Sequence, residues 1–208
     1  MVISDRPMTR RGWFAVVGVA AVCGSGLVSV IYLRERWALE AEQARVTFGT
    51  GPIDPFLKFR MPGISRPPVV SAARSTLLPE DQVIGLVVAG RARAYRLDAL
   101  RDRSRHIVND LIGEVPVSVT FCDLDECVRT YQGRSGQGPL DVSVGGLWQG
   151  RQLILEVEGS LYYQRSGDAF APGPAGSKLS LQPIEPTLTS WSSWQRDHPD
   201  TEVYEGIR

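Results

Sequence analysis

The chain has 208 residues, 43% hydrophobic and 22% charged, with 23 basic side chains against 23 acidic ones. That length holds one folded domain with little to spare, and the apolar content excludes a disordered tail. Balanced charge without a long run of Lys and Arg lacks the basic footprint that a phosphate backbone demands, so no nucleic-acid partner is expected.

Residues 1–11 carry Arg6, Arg10 and Arg11 against Asp5 alone. Residues 12–33, GWFAVVGVAAVCGSGLVSVIYL, then run without a charge. At 1.5 Å per residue this stretch crosses a hydrocarbon core of roughly 30 Å, so a transmembrane helix or signal anchor is expected, with the lipid bilayer as its partner. A cleaved signal peptide fits less well, because the apolar run is long and ends at Arg34 without a small-x-small cleavage site. Beyond the span Arg34, Arg36 and Arg45 are balanced by Glu35, Glu40 and Glu42. The bias of positive charge puts the N-terminus in the cytoplasm and the rest of the chain outside.

Residues 34–47 mix those charges with Trp37, Leu39 and alanines, and read as a short juxtamembrane helix. Eight prolines and glycines between Gly49 and Pro68 then interrupt any helix or central strand, so 48–68 reads as a linker or wrapping arm and 34–68 as a connecting segment. The domain proper is expected over 69–208. Within it Val83–Ala89 and Ala92–Tyr95 flank a glycine turn as two strands, Leu97–Leu100 suits a short helical turn, and Ile107–Asp110 follows. Val115, Val117, Val119 and Phe121 alternate with Pro116, Ser118 and Thr120 in a strand that delivers its end to Cys122. Shorter candidates lie at Val128–Tyr131, Leu140–Val144, Gln152–Val157, Leu161–Gln164 and Leu179–Gln182, with glycines between them that read as turns. Many short strands predict a mainly β fold, a β-rich barrel or sandwich with minor helix, preceded by one transmembrane helix.

The chemistry-bearing stretch is Cys122-Asp123-Leu124-Asp125-Glu126-Cys127. In an oxidising compartment a Cys122–Cys127 disulfide closing a small loop is one reading. A second is a metal site, since two thiolates from Cys122 and Cys127 with the imidazole of His106 suit Zn or Cu, Asp123 or Asp125 being placed to add an oxygen. A third is a reactive dithiol, against which the neighbouring carboxylates act by disfavouring a thiolate. His106 and His198 are the two histidines. His106 precedes Asn109 and Asp110, where an acid–base role is open to it, whereas His198 lies in a turn-like stretch and reads as structural. Trp191 and Trp194, three apart, share one face of a helical turn and are expected to plug an open end of the β domain.

Several blocks in order carry a family resemblance: Val70-Ser71-Ala72-Ala73, Leu78-Pro79-Glu80-Asp81, Val83-Ile84-Gly85, Arg93-Ala94-Tyr95, His106-Ile107-Val108-Asn109-Asp110, Pro116 through Cys122, Trp191-Ser192-Ser193-Trp194 and His198-Pro199-Asp200-Thr201. Over residues 69–208 the chain resembles the bacterial family of unknown function DUF3179, many members of which look exported or membrane-anchored. The resemblance implies no established reaction, and the apolar span adds the expectation of a single-pass inner-membrane protein with a periplasmic or extracytoplasmic domain. Typical relatives follow the first cysteine with Pro, Leu and a second cysteine. Here Asp123 stands at the proline, Asp125 at the second thiol, and Cys127 lies two positions further on. The functional expectation is a domain that binds a membrane or periplasmic protein partner or a small ligand around His106, Asn109, Asp110, Cys122, Asp125 and Cys127. The alternative is a metal- or thiol-dependent enzyme or redox accessory protein using Cys122, Cys127 and His106.

Overall fold

The structure, a computed structural model, describes residues 55–170 and 177–206. The expected membrane segment 12–33, its flanking charges and the juxtamembrane helix lie outside the described residues. Those that are described form fourteen strands and one α-helix: β1 (Phe56–Pro62), β2 (Ile64–Ser65), β3 (Val70–Ser71), β4 (Gln82–Val88), β5 (Arg91–Arg96), β6 (Ile107–Ile112), β7 (Val115–Cys122), β8 (Cys127–Gln132), β9 (Val142–Trp148), β10 (Gln152–Val157), β11 (Ser160–Tyr163), β12 (Gln182–Ile184), β13 (Thr187–Ser190), α1 (Trp191–Asp197) and β14 (Glu202–Tyr204). They build three sheets, ordered β1-β9-β10-β11, β12-β8-β7-β6-β2 and β13-β4-β5-β14-β3. Each has two free edges, so the fold is mainly β and the barrel alternative is not realised.

The second sheet lies between the other two, and the period of two in its strands explains how. Val117, Val119 and Phe121 of β7 face the third sheet and pack with Ile84, Leu86, Tyr95 and Tyr204. Ile107 of β6, Cys122 of β7 and Cys127 and Tyr131 of β8 face the first sheet and pack with Val142, Val144, Leu153 and Leu155. The intervening polar side chains Ser118 and Thr120 are buried too, which is why β7 reads in sequence as half-buried but is covered on both faces. Ala94 of β5 and Val83 of β4 face outward under Trp191 and Trp194. The tryptophan pair therefore covers the outer face of the third sheet and does not plug an end of a barrel. Ser190 caps α1 by accepting from the Ser193 N–H, Trp194 donates from its indole to Thr201 Oγ1 at 3.0 Å, and the His198 ring lies 4.0 Å from that of Trp194. A Cβ at Gly85 would stand 2.3 Å from the Trp194 ring, so the glycine in Val83-Ile84-Gly85 is the seat of that indole.

Of the stretch 48–68, read as a linker or wrapping arm, residues 56–65 pair with the domain: β1 runs antiparallel to β9 along the edge of the first sheet and β2 pairs with β6. An edge strand tolerates Pro62 at its end, where a central strand would lose a ladder hydrogen bond. Gly145 and Gly146, read as turn residues, lie inside β9: a Cβ at Gly145 would meet Leu161 at 2.5 Å, and one at Gly146 the Leu57 carbonyl oxygen at 2.4 Å.

Candidate functional site

The sequence-derived site residues part company in the folded chain. Asn109 faces the first sheet, where its Nδ2 donates to the Val142 carbonyl at 2.9 Å and its Oδ1 accepts from the Ser118 hydroxyl at 2.9 Å. Asp110, next along β6, faces the third sheet. Its carboxylate takes Arg93 Nη1 at 2.5 Å and the Tyr95 hydroxyl at 2.8 Å, and Arg93 Nη2 continues to Glu202 at 2.8 Å. Burial pushes the Asp110 carboxyl above its ordinary value, against the pull of Arg93, Tyr95 and the Leu111 N–H. Both side chains are buried brackets that pin the middle sheet to its neighbours, and neither lines the groove described below.

His106 and the cysteine hairpin stand together at one end of the middle sheet. Asp102 accepts from the Ser104 N–H and hydroxyl at 2.9 and 2.6 Å, capping the 3-10 turn Arg103–Arg105 that presents His106. The ring Nδ1 lies 2.8 Å from the Leu100 carbonyl and Nε2 lies 3.3 Å from Asp123 Oδ1. The hairpin loop from Asp123 to Glu126 spreads its three carboxylates over three partners: Asp123 on His106, Asp125 on Arg165 at 2.8 Å, and Glu126 on Arg101 through two bonds of 2.8 and 3.1 Å.

Cys122 and Cys127 are opposite each other in the β7–β8 ladder, buried, and free, so the disulfide expected from the oxidising compartment is not formed. The Cys122 thiol instead donates to the Arg151 carbonyl at 3.4 Å. Burial pushes that thiol up to about 11 and the Asp125 carboxylate adds to the rise, while backbone N–H groups of Leu124 and Asp125 pull the other way. Burial also raises Cys127. Thiols held in their neutral form are poorly set up as nucleophiles. Among the described residues no three His, Cys, Asp or Glu side chains converge on one point. The Zn or Cu set of Cys122, Cys127 and His106 is therefore not assembled, because the two ring nitrogens of His106 address Leu100 and Asp123.

What the hairpin does border is a groove of about 330 Å³. Leu57 opposes Leu147, and Leu147 opposes Leu153, so β1, β9 and β10 place three leucines in a row across the first sheet. Phe59 and Met61, two and four residues beyond Leu57, extend the apolar floor along the same face of β1. Arg103, His106, Cys122, Asp123 and Leu124 form the facing wall. Leu57 and Leu124 are 62% and 50% exposed, so the mouth carries two leucines in water. Asp125 does not line this groove but a neighbouring pocket with Gln152, Leu153, Tyr163, Gln164 and Arg165. Of the expected site residues the groove thus gathers His106 and Cys122. It adds Leu57, Phe59, Met61, Arg103, Asp123, Leu124, Leu147 and Leu153, for part of which a signal existed in the strict alternation Leu57-Lys58-Phe59-Arg60-Met61.

No curated protein and no solved structure matches the chain. A family model described as "Protein of unknown function (DUF3179)" matches residues 59–206, from the middle of β1 to just past β14, and the chain belongs to that family.

Proposed function

We propose that residues 55–206 are an extracytoplasmic binding domain, held at the bilayer by residues 12–33, that takes a small amphipathic ligand in the groove between β1 and the His106–Cys122 wall. The observation that carries this reading is the groove's division into an apolar floor, Leu57, Leu147 and Leu153 with Phe59 and Met61, and a polar wall of Arg103, His106 and Asp123. Ligand sites of this kind combine a mainly apolar lining with a few polar groups that fix orientation. Exposed leucines at the mouth fit an entry for an apolar body.

The test uses the full chain in amphipol and a ten-carbon alcohol bearing a diazirine. After photolysis and peptide mapping, label is expected on residues 57–61, 147 and 153 and lost in Leu147→Trp, whose ring fills the floor, with circular dichroism checking that the variant folds. Leu78, Val87 and Leu188 are equally exposed but lie away from the groove, and label shared evenly with them overturns the reading.

A further inference from the structure

Arg103 is the one arginine lining the groove, and among the described residues it holds no carboxylate. Its neighbours are committed elsewhere: Arg101 to Glu126, Arg165 to Asp125, and the acidic side chains Asp102 and Asp123 to Ser104 and His106. The turn that presents Arg103 is fixed by the Asp102 cap and by the His106–Leu100 bond, so the guanidinium projects from an ordered base. An uncommitted guanidinium at the edge of an apolar floor recognises an anion attached to an apolar body, because its fork of donors matches a carboxylate or phosphate. The carboxylate sharing the wall, Asp123, lies 3.3 Å from His106 Nε2.

Resting on the groove reading above, we infer that the ligand is a single-chain amphiphile with an anionic head, its head at Arg103 and its tail along Leu57, Leu147 and Leu153. A groove of about 330 Å³ suits a tail of roughly ten carbons. Carboxylate and phosphate heads share the chemistry that Arg103 reads.

The experiment competes a diazirine-bearing ten-carbon carboxylate, photolabelled onto the full chain in amphipol, with decanoate, decyl phosphate, decanol and decylammonium. Decanoate or decyl phosphate is expected to compete about tenfold better than decanol at low ionic strength, with the gap closing as salt screens it. Whichever anion competes better assigns the head group. Arg103→Ala, an exposed position that leaves the core untouched, is expected to bring the anions down to the level of decanol, and Arg103→Lys to keep part of the gap. Equal competition by decanol and decanoate in the native chain, decylammonium matching decanoate, or a gap that survives Arg103→Ala overturns the anion assignment while the groove stands. Failure of every ten-carbon compound to label or compete overturns the groove reading itself.

Discussion

Replacing Asp110 by alanine separates frame from site most directly. The Asp110 carboxylate meets Arg93, which is 6% exposed, and accepts from Tyr95 and from the Leu111 N–H. Asp110→Ala leaves the Arg93 guanidinium buried with Glu202 as its remaining acid, and leaves the buried Tyr95 hydroxyl without its acceptor. Removing one partner of a buried ion pair costs about 3–5 kcal/mol. Glu202 is half exposed and still compensates Arg93, which places the expected loss near the lower end, about 3 kcal/mol. Urea denaturation followed by tryptophan fluorescence reads this as a shift in midpoint with little change in slope. The triple variant Arg93→Met, Tyr95→Phe, Asp110→Leu removes charge, hydroxyl and acid together and is expected to recover most of the loss, as apolar replacement of buried pairs commonly does. Groove labelling should persist in Asp110→Ala below its unfolding midpoint. A loss under about 1 kcal/mol, the scale of an ordinary solvent-exchanged hydrogen bond, would refute the bracket argument. So would groove labelling that vanishes while the fold remains.

Asn109→Ala strips the partner from the Val142 carbonyl and the Ser118 hydroxyl between the first two sheets, with an expected cost of about 2 kcal/mol and faster amide exchange in β9. Gly85→Ala drives a methyl group into the Trp194 ring and should cost about 1–3 kcal/mol with a shift in tryptophan emission; an unchanged melting temperature contradicts the seating of that indole. Cys122 and Cys127 are buried, so iodoacetamide is expected to modify these two only after unfolding, and peptide mapping should show no bond between them. Because Cys122 is held at about 11, above its unfolded value, its contribution to stability is complete below about pH 8.5 and is lost as the pH rises through 11. Cys122→Ser should flatten that alkaline decline, and a decline of equal steepness in the variant would assign it to other groups.

The strands that were legible in the sequence are those with local signals. The β4–β5 hairpin shows its turn in Gly90, and both Ala89 and Gly90 take positive φ, as a tight hairpin turn requires. β7 and β10 show regular apolar spacing. β2, β3, β13 and β14 have two to four residues each and owe their existence to partners distant in the chain, such as Val203 with Val70 and Ala94, which no local window contains. β1 was hidden by its flanking prolines and glycines even though its five central residues alternate without exception. At the site, His106 and Cys122 stood out by residue type, but the groove's floor is made of leucines that look like any core position. Asp110 and Asn109 misled for the opposite reason: polar residues in a strand buried on both faces are conspicuous whether they bind a ligand or hold sheets together.

The acidic hairpin shows why residue types at close spacing need not make a ligand cluster. Three carboxylates within four residues would repel one another if they converged, and the loop resolves this by sending each to a partner on a different segment: His106 ahead of β6, Arg101 after the 3-10 turn at Asp98–Leu100, and Arg165 beyond β11. These pairs tie the hairpin tip to its surroundings, and they leave Leu124, the residue between two of the acids, projecting at the groove mouth. Burial raises the Cys122 thiol and the nearby Asp125 carboxylate adds to the rise. That acid, bound to Arg165, favours the protonated form of Cys122 and makes the thiol part of a fixed wall. Under the proposed function, the groups that this wall presents to the groove are His106, Asp123 and Arg103, opposite the leucine row.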